Sequence, residues 1–420
     1  MDRRTFVKSS SALGGLAAFG AFDTVRAQGA GPIKIGLLTP LTGVAAAGGK
    51  EIQEGFTLYW EQIGKKIGGR AVEITVEDDG SNPDIALQKA RKLTEQTKVD
   101  FLVGDLLANT GLAVAEYAKT NGIPYFIPVI AADDLTQRKR IPNVIRVAGY
   151  TASQMPRPLA DYAYKKLGLR KIVTLSQDYT FGHEQCGGFA QLFTELGGTI
   201  TAQIWNPLNT QDFSPFIAQI QAAAPDAVFA MQTGADAGRL IQQWSNFGMA
   251  GGKVKLLGAQ NTTDQSVIRT LGAEAEGLIS AAHFAEGNDA PATKKFVAEY
   301  ENAYKKLPSL YGFSHYSAAM WLAEAIKGVN GNIEDRPKFL EAVRKTVLNG
   351  SPLGRAVRLD EYGNPVYDVF IRQVVKRAEG GLWNKPIETY PAVSQFWTYK
   401  PEEFMKQPSY SRTYQGIKKA

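Results

Sequence analysis

Few residues of this chain have the types and spacing that catalysis requires. The glycine-rich segment from Thr42 to Glu51 is similar to a phosphate-binding loop, but its spacing is wrong by one residue. Glu51 also stands where such a loop carries the Ser or Thr that contacts magnesium. We therefore interpret the segment as a flexible loop that faces a ligand. Cys186 is the only cysteine and has no histidine at a useful spacing, so we expect an inert, buried thiol.

The acidic and imidazole side chains do not form a catalytic set either. Asp78 and Asp79 are similar to a pair of general acids, but Gly80-Ser81-Asn82 follows them, which favours a turn that begins the next helix. No nucleophile elbow of the form G-x-S-x-G is present. The histidines lie too far apart in sequence to indicate a local metal site: His183, His283 and His315. The sequence thus predicts no catalytic residue, no metal and no cofactor, and it favours a binding protein over an enzyme.

The N-terminus carries the features of an export signal in the expected order. Asp2-Arg3-Arg4-Thr5-Phe6-Val7-Lys8 is typical of a twin-arginine signal, and Val25-Arg26-Ala27 supplies the small residues that a signal peptidase recognises. The apolar stretch between them, residues 12–22, is too short and too rich in Gly and Ala to span a bilayer. We therefore expect cleavage after Ala27 and a mature protein in the periplasm.

Charge and cysteine content restrict the partners and the source of stability. The chain has 47 Lys and Arg against 41 Asp and Glu, a formal net charge of +6, and the two signs are interleaved. Because no long basic run occurs, we expect no nucleic-acid partner. An exported chain with one cysteine has no internal disulfide, so its stability must come from a buried core, and its length suits two domains.

The elements that must position any site follow from the hydrophobic pattern. Short β-branched runs alternate with amphipathic helical stretches, with strands predicted at 33–38, 72–76, 101–103 and 125–127. The pattern starts again with strands at 171–175, 200–204, 227–230, 256–258 and 278–280. Three longer helices are predicted near 291–307, 313–329 and 336–348, and return strands near 357–360 and 366–376. Such alternation is typical of α/β folds, so we predict two doubly wound parallel-sheet lobes that face each other across a ligand cleft.

Several short segments, in their order and spacing, point to one family. They are Ile35-Gly36-Leu37-Leu38-Thr39-Pro40-Leu41-Thr42-Gly43, Asp78-Asp79, Phe101-Leu102-Val103-Gly104, Gly122-Ile123-Pro124, Ile145-Arg146-Val147-Ala148-Gly149, Tyr179-Thr180-Phe181-Gly182 and Tyr316-Ser317-Ala318-Ala319. This series resembles the periplasmic solute-binding proteins of the leucine/isoleucine/valine-binding family. The likeness covers residues 33 to about 380, nearly all of the predicted mature chain.

The resemblance implies a type I periplasmic-binding fold whose lobes are joined by a three-strand hinge. It divides the chain into an N-terminal lobe (33–148 with 282–353) and a C-terminal lobe (149–281 with 354–383), leaving 384–420 as an irregular surface tail. It also implies a small-molecule ligand, a membrane permease of an ATP-driven importer as partner, and no hydrolysis by the binding protein itself. We expect a monomer.

The resemblance further implies the residues that line the cleft. Amino-acid binders of the family hold the ligand carboxylate after the third and fourth strands, at positions that fall here on Ala108, Asn109, Thr110, Val129 and Ala131. The acidic residue that pairs with the ligand ammonium in those binders falls on Gln260. The remaining implied contacts are Ala47 at an aromatic wall position, Tyr179 and Phe181 as second-lobe aromatic residues, and Thr233 and Gly234 in a closing loop.

These departures from the amino-acid binders suggest the ligand class. A buried ammonium that faces the neutral amide of Gln260 would lack its counter-charge, which is costly. We therefore predict an aromatic carboxylate, similar to benzoate or cinnamate, with its ring on Phe181 and Tyr179 and its carboxylate on Asn109, Thr110 and backbone amides. The alternatives are a branched-chain amino acid, an amide or urea, or a ligand-sensing receptor module. Two other interpretations stay open. Phe181 packs only within its own lobe, or Gln260 faces solvent.

Overall fold

Two separate sheets, each flanked by helices, organise the part of the chain that the structure, a computed structural model, describes: residues 31–417. The predicted export signal, residues 1–27, lies outside the described residues. Within them, no helix combines the length and the apolar character needed to cross a membrane.

The first sheet has six strands and contains the first part of the chain. Its elements are β1 (Ile33–Thr39), α1 (Ala46–Gln62), β2 (Lys66–Ile67), β3 (Arg70–Asp78), α2 (Pro83–Arg91), β4 (Phe101–Gly104), α3 (Ala108–Asn121), β5 (Tyr125–Phe126) and β6 (Val144–Ile145). The strand order is β2-β3-β1-β4-β5-β6, and every pair except β2–β3 is parallel. The central strands are buried on both faces, as the apolar runs in their sequence predict.

The second sheet has seven strands. Its elements are α4 (Pro156–Lys165), β7 (Lys171–Gln177), α5 (Thr180–Glu195), β8 (Thr199–Asn206), α6 (Ser214–Ala223), β9 (Ala227–Met231), α7 (Ala235–Asn246), β10 (Lys255–Ala259), α8 (Gln265–Ile268), β11 (Ile279–Ala282), β12 (Tyr367–Lys376) and β13 (Leu382–Val393). The order is β13-β12-β11-β10-β9-β7-β8. Strands β7 to β11 are parallel, whereas β12 and β13 run antiparallel to their neighbours.

The chain returns to the first sheet between β11 and β12. This return forms α9 (Pro291–Tyr304), α10 (Leu310–Gly328) and α11 (Arg336–Lys345). Helix α10 packs closely on α1. A Cβ added to Gly55 of α1 would overlap the carbonyl oxygen of Gly312 of α10, so only glycine fits at this contact. The hydroxyl of Tyr300 donates to Glu54 Oε2 at 2.7 Å. We call the first sheet with α1–α3 and α9–α11 the first lobe, and the second sheet with α4–α8 the second lobe.

Three connections therefore cross between the lobes, as predicted. One aromatic residue from each connection meets the others: the ring of His283 lies 4.9 Å from that of Tyr150 and 5.2 Å from that of Tyr367, measured between centroids. The hydroxyl of Tyr367 also donates to the carbonyl oxygen of Gly149. These contacts join the three crossings into one packed hinge and confirm the predicted fold class.

The C-terminal region differs from the prediction in two places. Residues 384–393, predicted as the start of an irregular tail, belong to β13, which pairs with β12 along its whole length. Pro386 and Pro391 argue against a strand in the sequence, but β13 is an edge strand, where a missing N–H is tolerated. Residues 357–360, predicted as a strand, make only isolated bridges, from Val357 to Leu348 and from Leu359 to Pro365.

The close packing of α1 on α10 gives a stability test. We expect Gly55→Ala to lower the free energy of unfolding by about 2 kcal/mol, because the added methyl group overlaps backbone atoms that cannot rotate away. Gly328→Ala is the matched control, since a Cβ there meets nothing within 4 Å. Urea unfolding that shows equal stability for the two variants would contradict this packing.

Candidate functional site

Loops that follow the central strands of both sheets contact one another. Gly234, after β9, lies against Val44, after β1, so closely that a Cβ on Gly234 would overlap the Val44 carbonyl oxygen. Asn261, after β10, donates from Nδ2 to the hydroxyl of Tyr311 at 2.9 Å. The Tyr311 ring in turn lies 2.8 Å from the Cβ position of Gly48. These contacts define a cleft between the lobes at the carboxyl ends of the strands, where α/β folds bind ligands.

Polar contacts hold the two lobes together at this cleft. The Arg269 guanidinium of the second lobe lies 2.8 Å from Glu51 Oε1 of the first lobe. The backbone N–H of Leu310, at the start of α10, donates to Asp264 Oδ2 at 2.8 Å. Burial raises the pKa of Glu51, and Arg269 opposes that shift. The lobes are thus in a closed arrangement.

A cluster of phenol, amide and imidazole side chains lies between the lobes beside the hinge. His283 Nδ1 donates to Gln260 Oε1 at 3.2 Å, and its ring packs on Tyr150. Tyr179 lies near enough to Tyr150 and Tyr311 to contribute to the pKa of both phenols. The three tyrosines, two amides and one histidine therefore belong to one neighbourhood at the hinge.

This cluster is electrically neutral at pH 7. Burial raises the pKa of Tyr150 and of Tyr311, so both phenols keep their protons. Burial, with the nearby Arg372 cation, lowers the pKa of His283 to about 3, so its imidazole is uncharged. The Arg372 guanidinium contacts Gln260 and donates from Nη2 to its backbone carbonyl oxygen at 2.7 Å. A buried cation therefore lies beside Gln260, while the Asp264 carboxylate acts on the pKa of Tyr150 and Tyr311.

Three amide atoms of the cleft residues are buried without a hydrogen-bond partner among residues 31–417: Gln260 Nε2, Asn261 Oδ1 and Asn109 Oδ1. Buried polar atoms are normally paired, because an unpaired one costs about 1–3 kcal/mol. One donor and two acceptors thus lack a partner, and the Tyr150 hydroxyl lies close to the amides of both Gln260 and Asn261.

The predicted first-lobe residues lie around the start of α3. Ala108 and Thr110 are buried and Asn109 is half-buried. The Thr110 hydroxyl donates to the Leu107 carbonyl oxygen at 2.6 Å, so its proton is already engaged. No side chain caps α3, which leaves the amides of its first turn for an anion.

The other predicted first-lobe residues differ in solvent exposure. Val129 and Ala131 are buried, and the Ala131 carbonyl accepts from the Ala152 amide of the first hinge crossing at 2.8 Å. Ala47 is exposed, and its neighbour Gly48 is the residue of α1 that meets Tyr311.

The second-lobe residues lie together. Tyr179 precedes α5, and its ring centroid is 6.1 Å from that of the buried Phe181. A hydrogen bond with the buried Thr233 acts on the Tyr179 phenol, whose pKa burial raises. Gly234 makes the contact with the first lobe described above. Gln260 is fully buried, so it does not face solvent.

Sequence reasoning missed four residues of the cluster: Tyr150, Asn261, His283 and Tyr311. Each of them lies just after a strand or hinge segment, or at the start of a helix. The sequence did predict these elements. Position after a strand end was therefore the available signal, and residue type alone did not separate these side chains from ordinary core residues.

The remaining chemistry-bearing residues are structural. Asp78 accepts from the amides of Leu41 and Gly80, each at 2.8 Å, so it holds a turn as predicted. His315 is buried, with Nδ1 3.1 Å from the Tyr311 carbonyl oxygen. Burial raises the pKa of the Cys186 thiol to about 12, as expected for an inert cysteine. Between residues 31 and 417, no three His, Cys, Asp or Glu side chains are grouped to hold a metal ion.

The sequence and the fold match known proteins. A family model described as periplasmic binding protein matches residues 32–380. Leu/Ile/Val-binding protein homolog 6 of Brucella abortus (strain 2308) is 27% identical over 365 residues, 85% of this chain and 91% of that protein.

Two solved structures share the fold along their length. An ABC transporter substrate-binding protein from Sphaerobacter thermophilus is 31% identical, with a TM-score of 0.80 over 87% of this chain and 99% of that chain. A solute binding protein of an ABC transporter from Rhodopseudomonas palustris BisB5, in complex with 3,4-dihydroxy benzoic acid, is 28% identical, with a TM-score of 0.82 over 87% of this chain and 98% of that chain.

One prediction concerns the buried acid Asp79, at the end of the first-lobe sheet. Burial and the neighbouring Asp105 raise the pKa of Asp79 to about 10. A carboxyl with a raised pKa stabilises the fold fully below its unfolded pKa and loses that contribution as the pH rises toward the folded pKa. Asp79→Asn has no proton to lose, so we expect its stability relative to the wild type to grow by about 1 kcal/mol per pH unit between pH 5 and pH 8.

Urea unfolding at several pH values measures this difference. Asp84→Asn, an exposed aspartate on α2, is the control and should show no such trend. A stability difference for Asp79→Asn that stays constant between pH 5 and pH 8 would contradict this prediction.

Proposed function

The chain belongs to the periplasmic binding protein family, and from this premise we propose that it captures an aromatic carboxylate, similar to benzoate or cinnamate, between its lobes. It is a substrate-binding protein of an ABC transporter, so a membrane permease is its partner. The family and the solved neighbours bind solutes and are not enzymes, which confirms the expectation of a binding protein. Such proteins work in the periplasm, and export through a twin-arginine signal stays part of the proposal.

The observation that carries the ligand class is the state of the acidic groups near the cleft. Gln260 occupies the position where the resemblance expects an acid. Asp264 is saturated by the chain itself, because it accepts from the Ser266 and Leu310 amides at 2.9 and 2.8 Å. Asp236 accepts from Gln177 Nε2 at 2.6 Å and pairs with Arg239 at 2.9 Å. A ligand ammonium would therefore have to compete with groups of the chain for either carboxylate.

The charge behind Gln260 supports the same conclusion. Arg372 is fully buried and donates to the Gln260 backbone carbonyl oxygen, so a cation lies beside Gln260, with the Glu286 and Asp264 carboxylates near enough to act on the pKa of Arg372. Placing a second cation in this low-dielectric region is unfavourable, whereas a neutral ring or an anion is not.

The two ends of an aromatic acid have complementary partners. The uncapped first turn of α3, with Asn109 beside it, supplies N–H groups for the carboxylate. Phe181 and Tyr179 supply ring faces in the opposite lobe. The unpaired Gln260 Nε2 and Asn261 Oδ1 match a ring hydroxyl, which can accept and donate. The Rhodopseudomonas palustris neighbour, solved with a dihydroxybenzoic acid, supports this choice.

The Brucella relative favours a second candidate, a branched-chain amino acid, because it is named a Leu/Ile/Val-binding protein homolog. An amide or urea is a further alternative that needs no counter-charge.

A ligand screen tests the proposal. We expect benzoate, 4-hydroxybenzoate or cinnamate to raise the thermal midpoint of the purified protein, and leucine, acetamide and urea to leave it unchanged. A ligand at a hundredfold excess over its dissociation constant adds about 2.7 kcal/mol of stability, which such a scan resolves. A shift with leucine alone would overturn the assignment.

The variant Gln260→Glu tests the observation behind it. A carboxylate at this position should weaken benzoate binding about tenfold or more through repulsion, whereas leucine binding should not weaken. Gln242→Glu, on the exposed face of α7, adds the same charge outside the cleft and should bind benzoate like the wild type. Calorimetry that finds equal benzoate affinity for both variants would place the ligand away from Gln260.

A further inference from the structure

The segment after β13 contacts both lobes. We call residues 395–417 the C-terminal strap; it contains the short helix α12 (Pro401–Lys406). The match to the family model ends at residue 380, before the strap begins.

The strap is hydrogen-bonded to the first lobe through the loop between β5 and β6. Arg138 donates from Nη2 to the carbonyl oxygen of Phe404 at 3.1 Å and from Nε to that of Gln407 at 2.8 Å. Ser409 Oγ donates to Asp134 Oδ2 at 2.7 Å. Two parts of the strap are thus tied to this loop.

The strap is also bonded to the second lobe, chiefly to α4 and α5. Arg157 of α4 donates to the Gln395 carbonyl oxygen at 2.7 Å and to the Tyr410 hydroxyl at 3.0 Å. The Tyr399 hydroxyl donates to Glu195 Oε2, and the Ile417 amide donates to Thr194 Oγ1 at 2.9 Å. The strap therefore follows α5 over several turns.

One side chain of the strap joins the two attachments. The ring of Phe404 is buried, with the guanidinium carbon of Arg138 at 5.3 Å and that of Arg157 at 5.0 Å from its centroid. One arginine comes from each lobe, and both distances suit a cation–π contact.

Helix α5 contacts the strap most closely at a glycine. Tyr410 packs directly on Gly187, where any Cβ would overlap its ring. A helix interior normally disfavours glycine by up to about 1 kcal/mol relative to alanine, so the close approach of this ring gives Gly187 a physical reason.

We propose that the C-terminal strap is a tie between the lobes that stabilises the closed cleft and slows release of the solute. The lobes open by rotation about the three crossings, and a segment fixed to both lobes in the closed arrangement must give up contacts with one of them. The proposal rests on capture of a solute by closure, and it holds whatever the solute is.

Two full-length variants loosen the tie without touching the cleft. We expect Gly187→Ala to displace the Tyr410 ring from its contact with α5. Phe404→Ala removes the ring that lies between Arg138 and Arg157. Gly238→Ala in α7 is the matched control, because its Cβ would meet only Val267 Cγ1, at 3.9 Å.

The distance between the lobes is measured by double electron–electron resonance. Nitroxide labels are attached to the cysteines of a Lys50→Cys/Gln242→Cys variant, at exposed positions on α1 and α7. The native Cys186 is buried and stays unlabelled. Without solute, we expect both strap variants to shift toward longer distances than the Gly238→Ala control. Release of the tightest solute from the ligand screen, measured by stopped flow, should be at least threefold faster in both.

Distances and release rates equal to those of the control in both strap variants would overturn the proposal. If no aromatic acid binds, the proposed ligand is wrong, but the distance measurement without solute still decides the role of the strap.

Discussion

A buried ammonium group needs a counter-charge, and the carboxylates that the structure places near the cleft, Asp236 and Asp264, are already engaged by other groups of the chain. Gln260 is neutral, the phenols and the imidazole around it are neutral, and the charge behind it is the cation of Arg372. In a low-dielectric interior such an arrangement discriminates against a cation far more strongly than any single hydrogen bond discriminates among neutral groups. The proposed class of ligand rests on this one electrostatic constraint.

The acids that lie near the cleft are used for another purpose. Asp264 accepts the Leu310 amide of the opposite lobe, and Glu51 faces Arg269 across the same gap. Carboxylates thus fasten the lobes to each other, while amides, phenols and helix amides are left to contact the solute. Closure thus depends largely on carboxylates and the proposed recognition on amides and phenols, with Asn261 taking part in both because it also donates to Tyr311.

The two sheets could be predicted because parallel strands buried on both faces form apolar runs, and turns and caps punctuate the sequence. The cap of α2 is an example: Asn82 accepts from the Asp84 amide at 2.9 Å, as its place before Pro83 predicts. Strand β13 was missed because an exposed edge strand with prolines has no such pattern. Its pairing is decided by β12, which is a non-local contact.

The site could be predicted only in part. Gln260, Tyr179 and Phe181 could be proposed from the sequence because they follow predicted strands and lie at positions that the family resemblance implies. Tyr150 and Tyr311 were not, because their proximity arises only when the lobes dock. Ala47 and Gly48 show the limit of sequence spacing: the start of α1 was expected at the cleft, but the phase of the helix decides which neighbour faces Tyr311.

The most direct measurement is calorimetry with two solutes that differ only by the α-ammonium group, 3-phenylpropionate and L-phenylalanine. The neutral, cation-backed cleft predicts that 3-phenylpropionate binds at least a hundredfold more tightly, which corresponds to about 2.7 kcal/mol. Equal affinity, or tighter binding of phenylalanine, would contradict the account, because the cleft would then have to supply the negative charge that Gln260 and its surroundings lack.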